Sequence, residues 1–446
     1  MAGQRKENIN RVVKARWKAM RFRERLLLRV YFLLTWALPE WLIVSLVKRR
    51  AKTHPSEESA ERARERIAGV LPARPDGRVV WLQSIGPGDS AANLALMEKL
   101  HELDPDLVFL VTTRTVAAQG IFRKFAERAQ VLLLLTPHDG RRAVVRFVKH
   151  WRPSLAVFGE SELWPNTIDI LRRRNVPMTL VNGQFNGRLG RSIGKLPALG
   201  RWVMAHLDLL HVFSAGGEAE AKKWTREDCD VIYAPNLKLD ADQLQVKPDV
   251  LKDIRAVWGD SPVFFGASVA ENEIETLIRA HDIAAAKIPG LKLLLAPRWK
   301  EEAAAIHAVA KGLGHDLPRR SHEGMPGATD TIFLADSYGE FGVWLEICFA
   351  AFMGHTLFGG VGHNPYEPIL HQRQIVSGAI PAFLATDYQY LADIGLCHVA
   401  DTPEKIAVEV DKLWRGRELP TTGFEEFVKM RGFSTDIARR ILVLAR

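Results

Sequence analysis

The sequence predicts an α/β protein built from two consecutive doubly wound units, each a parallel sheet covered by helices on both faces. Apolar, β-branched runs of strand length alternate with amphipathic segments of helix length from about residue 78, and the same rhythm resumes after about residue 245. At 446 residues the chain is too long for one typical core and comfortable for two. Its composition, 47% hydrophobic and 25% charged, is that of an ordinary globular protein.

The first fifty residues stand apart. MAGQRKENINRVVKARWKAMRFRER is densely basic, LLLRVYFLLTWALPEWLIVSLV is mostly apolar with Trp and Tyr, and KRRAK follows. Arg29, Pro39 and Glu40 break the apolar stretch below the roughly 20 residues that a bilayer span needs. Basic flanks at both ends and the lack of a small-residue cleavage site argue against a signal peptide. The pattern fits an anchor lying in a membrane surface, aromatics at the interface and Lys and Arg toward anionic headgroups. The alternative is a helix packed on the body of the protein behind a basic tail. Residues 51–77 are polar and charge-mixed and end at Pro and Gly, a linker helix. The resulting partition is 1–50 for the anchor, 51–240 for the first domain and 241–446 for the second.

In the first domain the strand candidates are RVVWL, DLVFLVTT, QVLLLLT, LAVFGES and VPMTLVNG; in the second they are SPVFFGAS, LKLLLAP, TIFLADS, AAFMGH and QIVSG. Sheets of this kind bind ligands beyond the carboxyl ends of their strands. The chemically informative stretches stand there: SIGPGDS, TTRT, GESELWPN, NGQFN, GASVAENE, APRWKEE, DSYGEFG and GHTLFGGVGHNPYEP each follow an apolar run.

Net charge is +9, which favours polyanions or anionic membrane surfaces as partners. The three cysteines, Cys229, Cys348 and Cys397, have neither CxxC spacing nor an even count, so a reducing compartment is expected and a disulfide framework or zinc site is not. Glu160 and Glu162 alternate at a strand end, which would put both carboxylates on one side of an extended segment; capping or pairing with nearby arginines explains them equally well. DSYGEFG and FGGVGHNPYEP are glycine-rich turns running into helices, natural seats for phosphate. With Arg298 after another strand they suit an anionic nucleotide, with Glu340 or Glu367 placed to hydrogen-bond ribose hydroxyls and His363 to contact phosphate or serve the turn itself. The Asp-x-Asp in LDADQ reads as a solvated linker at the hinge, and no metal site is expected. Asp89, before a helix-like run, is on local grounds an N-cap.

Taken together the motifs resemble one family, the bacterial Kdo transferases, which move 3-deoxy-D-manno-octulosonic acid from CMP-Kdo onto a lipid A precursor. ESELWPN, NLKLD, APRWKEE, DSYGEF and GHNPYEP match family motifs in order. The resemblance implies the GT-B glycosyltransferase fold, two Rossmann-like domains with a central cleft, plus an N-terminal membrane-associated helix. It implies an inverting enzyme of lipopolysaccharide biosynthesis at the cytoplasmic face of the inner membrane, with no nucleic acid partner and no metal or other cofactor besides the donor substrate. It places Asp89 opposite the family's general base, a glutamate. Donor binding falls to Arg298, Ser337, Tyr338, Gly339, Glu340, Gly362, His363, Asn364 and Glu367, and acceptor binding to Glu160, Glu162, Asn166 and Lys238. The chain departs from the family at several site positions. Asp89 is one methylene short, Gln184 replaces an Arg, Arg114 a Thr and Trp299 a His, and His355 and Val361 stand where the family has glycines. A different nucleotide sugar or envelope acceptor, or a non-catalytic lipid-binding role, is therefore the alternative reading.

Overall fold

The computed structural model describes residues 2–55, 57–185, 188–213, 216–360, 362–417 and 422–445. The chain divides into two compact units, Met1–Ala241 with Gly432–Arg446, and Asp242–Arg431. The carboxyl-terminal segment, assigned from sequence to the second domain, thus returns to the first. Asp240 makes that return: its carboxylate accepts the backbone N–H groups of Gly432 and Ser434, at the start of the helix Phe433–Leu444. Ile437, Ala438 and Ile441 of that helix then join the core beside Leu96 and Leu100. The first aspartate of the Asp-x-Asp pair is therefore a clip, not a solvated linker.

The first unit holds a seven-stranded parallel sheet of order β3-β2-β1-β4-β5-β6-β7. Its strands are β1 (Arg78–Ser84), β2 (Leu107–Thr113), β3 (Val131–Leu135), β4 (Leu155–Gly159), β5 (Met178–Gly183), β6 (Leu209–Val212) and β7 (Asp230–Tyr233). The second holds a six-stranded parallel sheet, β10-β9-β8-β11-β12-β13. Those strands are β8 (Val263–Val269), β9 (Lys292–Pro297), β10 (Ile332–Leu334), β11 (Ala350–Met353), β12 (Gln374–Ser377) and β13 (Cys397–Val399). Every run read as a strand is one. The sequence reading missed β6, β7 and β13, which are three or four residues long and too short to show a period. The central strands are buried on both faces, as the continuous apolar runs require.

In each sheet the strand order reverses once, between β1 and β4 in the first and between β8 and β11 in the second. Loops leaving such neighbouring strands diverge to opposite faces and leave a crevice at the carboxyl ends, where this class of fold binds ligands. The segments after β1 and β4, and after β8 and β11, are the places to look.

Among the described residues three α-helices precede the first sheet, Ala2–Ala19, Phe22–Ala37 and Glu40–Thr53. They are packed on the first unit. Met20 and Leu28 belong to the core cluster of Trp202 and Leu207. Buried Glu24 accepts the Ala198 N–H at 3.1 Å, and the Tyr31 hydroxyl donates to Asp139 at 2.7 Å. Elsewhere on the second and third helices Phe22, Leu27, Leu33, Leu34, Trp41 and Leu46 are exposed. No single described helix is long and apolar enough to cross a membrane; Phe22–Ala37 and Glu40–Thr53 pass that test only as a pair, bent by 83°.

Candidate active site

In the first unit β1 runs through Ile85 and Gly86 into the helix Pro87–Leu103, with Gly86 as the N-cap and Pro87 at the first helical turn. Asp89 is not the cap. It lies inside the first turn, and its carboxylate accepts the Gly86 N–H. From the end of β4 comes Glu160, in the left-handed region at φ +53°, a conformation that a glutamate adopts only when its surroundings enforce it. Lys238 completes the cluster. Its Nζ is 3.3 Å from Glu160 Oε1 and 3.7 Å from Asp89 Oδ1.

Lys238 is held in place by two asparagines. The Asn236 side chain accepts the Lys238 N–H at 3.0 Å and the Asn182 amide at 3.0 Å, while Asn182 Oδ1 accepts the Leu237 N–H at 3.1 Å. Asn182 is also left-handed, at φ +55°. Burial, reinforced by the neighbouring Glu160 charge and a hydrogen bond to Glu160, holds the Asp89 carboxyl well above the usual range; Lys238 and the Gly86 N–H pull the other way and lose.

In the second unit the organising group is Glu273, which the sequence reading did not single out. Its buried carboxylate accepts four backbone N–H groups, from Ala270 (3.0 Å), His355 (2.8 Å), Thr356 (2.9 Å) and Leu357 (3.1 Å), tying the loop after β8 to the loop after β11. The strands come close enough there that a Cβ on Gly354 would lie 2.2 Å from the Ser268 carbonyl oxygen. His355 takes φ +56° and its ring meets that of His363 at 5.8 Å between centroids. Arg298 Nη1 donates to the Gly362 carbonyl at 3.4 Å. Burial, with Arg298 and His355 beside it, pushes the His363 imidazole down to about 3, and His355 is lowered by burial and Arg298. Both Nε2 atoms are buried with no hydrogen-bond partner among the described residues.

Arg298 also borders a cavity of about 180 Å³ at the ends of β8 and β9, lined with Ser268, Pro297, Ser337, Tyr338 and Gly339. A wider concavity of about 660 Å³ opens at the amino edge of the same sheet, beside Trp258, Arg373 and Trp414. It contains none of the residues that sequence reasoning selected.

The structure brings Asp89, Glu160 and Lys238 together, and Arg298, Ser337, Tyr338 and Gly339 around one cavity. It separates others from these roles. Residues 160 and 161 form a turn rather than an extended segment, so Glu162 parts from Glu160: its carboxylate accepts from Trp164 (2.9 Å) and Gln83 (3.4 Å) and faces Arg114 at 3.6 Å. Asn166 is fully buried, its amide donating to the Asp139 carbonyl (2.7 Å) and Thr35 (2.9 Å), so it fastens the second helix to the domain and is closed to an acceptor. Glu340 is held by Arg320 through two bonds, 3.0 and 2.8 Å, and by Ser337, which leaves it spent rather than waiting for a ribose. Asn364 donates to Glu367 at 3.3 Å and accepts the Tyr366 N–H, shaping the turn that carries Gly362 at φ +69°. Val361 lies outside the described residues. Among the described residues no three His, Cys, Asp or Glu side chains gather as metal ligands.

Residues 61–241 match the family described as 3-Deoxy-D-manno-octulosonic-acid transferase (kdotransferase). The chain is 26% identical over 370 residues to the 3-deoxy-D-manno-octulosonic acid transferase of Haemophilus influenzae, covering 80% of this chain and 85% of that one. It is 26% identical over 324 residues to the enzyme of that name from Bordetella pertussis, with 70% and 73% covered. Among solved structures, the UDP-GlcNAc 2-epimerase from Neisseria meningitidis bound to UDP-GlcNAc superposes with a TM-score of 0.55 at 9% identity, over 82% of this chain and 99% of that one, a likeness of fold. The two parallel-sheet units are those of the GT-B fold.

Proposed function

Because the chain is a divergent member of the Kdo transferase family, we propose that it is an inverting glycosyltransferase of lipopolysaccharide biosynthesis that moves Kdo from CMP-Kdo to a lipid A precursor. The observation that carries this is the meeting of Asp89, Glu160 and Lys238 at the strand-order reversal of the first sheet. Two carboxyl groups at that point suit a base for an acceptor hydroxyl, which must come within about 3 Å of a carboxylate oxygen. In the second unit Arg298 and the turns carrying Ser337, Gly339 and Gly362 would bind the nucleotide. The leaving group has one phosphate, whose growing charge a guanidinium and backbone N–H groups can stabilise, so no metal is required of the scheme.

The amino-terminal helices fit an acceptor embedded in a membrane. Phe22, Leu33, Leu34 and Trp41 would sit in the interface of the inner membrane's cytoplasmic face, with Arg23, Arg25, Lys48 and Arg49 toward anionic headgroups at about 1 kcal/mol each. Incubating purified full-length protein with CMP-Kdo and lipid A precursor should give a product heavier by one Kdo residue in mass spectrometry. No transfer, combined with no CMP binding in calorimetry, would overturn the assignment. Flotation with vesicles containing phosphatidylglycerol tests the membrane part: L33D/W41D should leave the vesicles while keeping its circular dichroism, and unchanged flotation rejects it.

A second reading keeps the fold and changes the donor. It is favoured by His355, which occupies a left-handed position beside Arg298 and fills with an imidazole the space a glycine would leave open. A thermal-shift screen of nucleotide sugars separates the two, since the true donor stabilises the fold by mass action.

A further inference from the structure

Asp89 is a poor base by its placement as well as by its length. Its carboxylate turns back to the Gly86 N–H, and its side chain is 16% exposed, against 36% for Glu160. The two carboxyl groups are hydrogen-bonded to each other. Both carboxyl groups face the one Lys238 ammonium, at 3.3 and 3.7 Å, and a single proton shared on the pair brings the three groups to zero charge. The proton belongs on the more deeply buried member, because ionising it there costs more.

Glu160 has what Asp89 lacks. It is one methylene longer and more exposed, and its backbone N–H is fixed on the Val181 carbonyl at 2.9 Å in a left-handed conformation that a side chain of this kind adopts at a cost. Strain of this kind persists where the surroundings determine a side chain's direction. Lys238, positioned by Asn236 and Asn182, supplies the countercharge for the ionised partner.

We propose that Asp89 and Glu160 form a one-proton pair in which Asp89 stays protonated and Glu160 is the catalytic base. The inference rests on the glycosyl-transfer reading above and names the residue that performs its proton step. The acceptor oxygen bonds to the anomeric carbon of the donor, and the bond from that carbon to the phosphate oxygen breaks. The phosphate leaves with the electron pair as CMP, and the acceptor's hydroxyl proton passes to Glu160. Asp89 donates its hydrogen bond to Glu160 throughout, so it is a positioning residue. This explains how a shorter acid can stand in the helix turn: it no longer has to reach the substrate.

The test uses the full chain with CMP-Kdo and lipid A precursor, folding of each variant being checked by circular dichroism. E160Q should lose about 10³-fold in kcat, within the range of a general base. D89N, whose amide donates the same hydrogen bond, should stay within about fivefold of the parent, whereas D89A, which cannot donate, should fall about tenfold or more. A 10³-fold loss in D89N with E160Q within tenfold overturns the proposal, as does an equal loss in both. Carboxyl ¹³C NMR of the labelled protein decides it without turnover. With the label in aspartate alone, a neutral carboxyl resonance at pH 7 that disappears in D89N supports the pair as described; a neutral resonance found instead with the label in glutamate alone and lost in E160Q, or no neutral resonance, rejects it. A parent that shows this resonance yet transfers no sugar from CMP-Kdo would instead refute the choice of substrates.

Discussion

The carboxyl ends of the two sheets are built on the same reversal of strand order and are electrically opposite. At the end of β1 and β4, Asp89 and Glu160 are pressed together over one lysine, and Asp89 is held above its ordinary range by burial. At the end of β8 and β11 the buried carboxylate, Glu273, is surrounded by four backbone N–H groups, and the groups left over are Arg298 and two neutral imidazoles. One end keeps an unresolved proton, which suits acid–base work. The other resolves its charge with main-chain dipoles and retains cationic and neutral donors, which suits holding an anion. The fold supplies the location, and the state of one buried carboxylate decides its use.

The largest effect should come from breaking the satisfied end. Glu273→Ala leaves four buried N–H groups without an acceptor and should cost about 4 kcal/mol, at 1–3 kcal/mol for each unmade bond less what water restores. Urea unfolding should show the loss, together with weakened CMP binding in calorimetry, because the loops after β8 and β11 separate. A loss below 1 kcal/mol would mean that the carboxylate does not organise this end.

A smaller effect belongs to Arg320→Met. Glu340 would keep the Ser337 hydroxyl and lose both guanidinium bonds while remaining buried, which should cost about 2 kcal/mol. Burial raises the Glu340 carboxyl, but the bonds from Arg320 and Ser337 outweigh it and the net shift is downward; Asp336 is likewise lowered against its burial by Ser321 and Arg319. A depressed carboxylate contributes stability that is present above its unfolded value and lost as pH falls through the folded one. The penalty of R320M should therefore be full at pH 7 and shrink in acid below about pH 4.5, the ordinary glutamate value. A penalty independent of pH would contradict the assignment.

How much of this was legible in sequence depended on how local the signal was. The strand-ending stretches were readable because apolar runs and glycine-rich turns are local, and both clusters lie just past them. The glycine turn bearing Gly362 and the cavity residues Ser337 to Gly339 were found in this way. Glu273 was not singled out, although GASVAENE was among the strand-end stretches, since its role exists only where amides some eighty residues later in the chain fold over it. Asn166 misled for the converse reason. An Asn after Trp-Pro is equally compatible with a ligand and with a buried clasp, and only Thr35, from a helix far upstream, settles the matter. Glu340 failed alike, its partner Arg320 lying on a separate short helix. The family motifs located Glu160 and Lys238 but gave no hint that they would meet Asp89, which takes the Asn236 and Asn182 clasp to arrange.

The steepest dependence on pH is expected at the unresolved end. Asp89 has a raised folded value, so the fold binds its proton where the unfolded chain has released it. Stability then falls as pH rises from the unfolded value of 3.8 toward the folded one, the opposite sense to Asp336 and Glu340. Asparagine does not titrate and keeps a donor toward Glu160. Asp89→Asn should therefore match the parent near pH 4 and gain on it progressively as pH rises through the range in which the unfolded chain has released the proton and the fold has not. Chemical denaturation of both proteins at several pH values reads this difference directly. A gain that is flat with pH, or a loss that grows with it, would show that Asp89 is held as a satisfied carboxylate, and that the two sheet ends are alike after all.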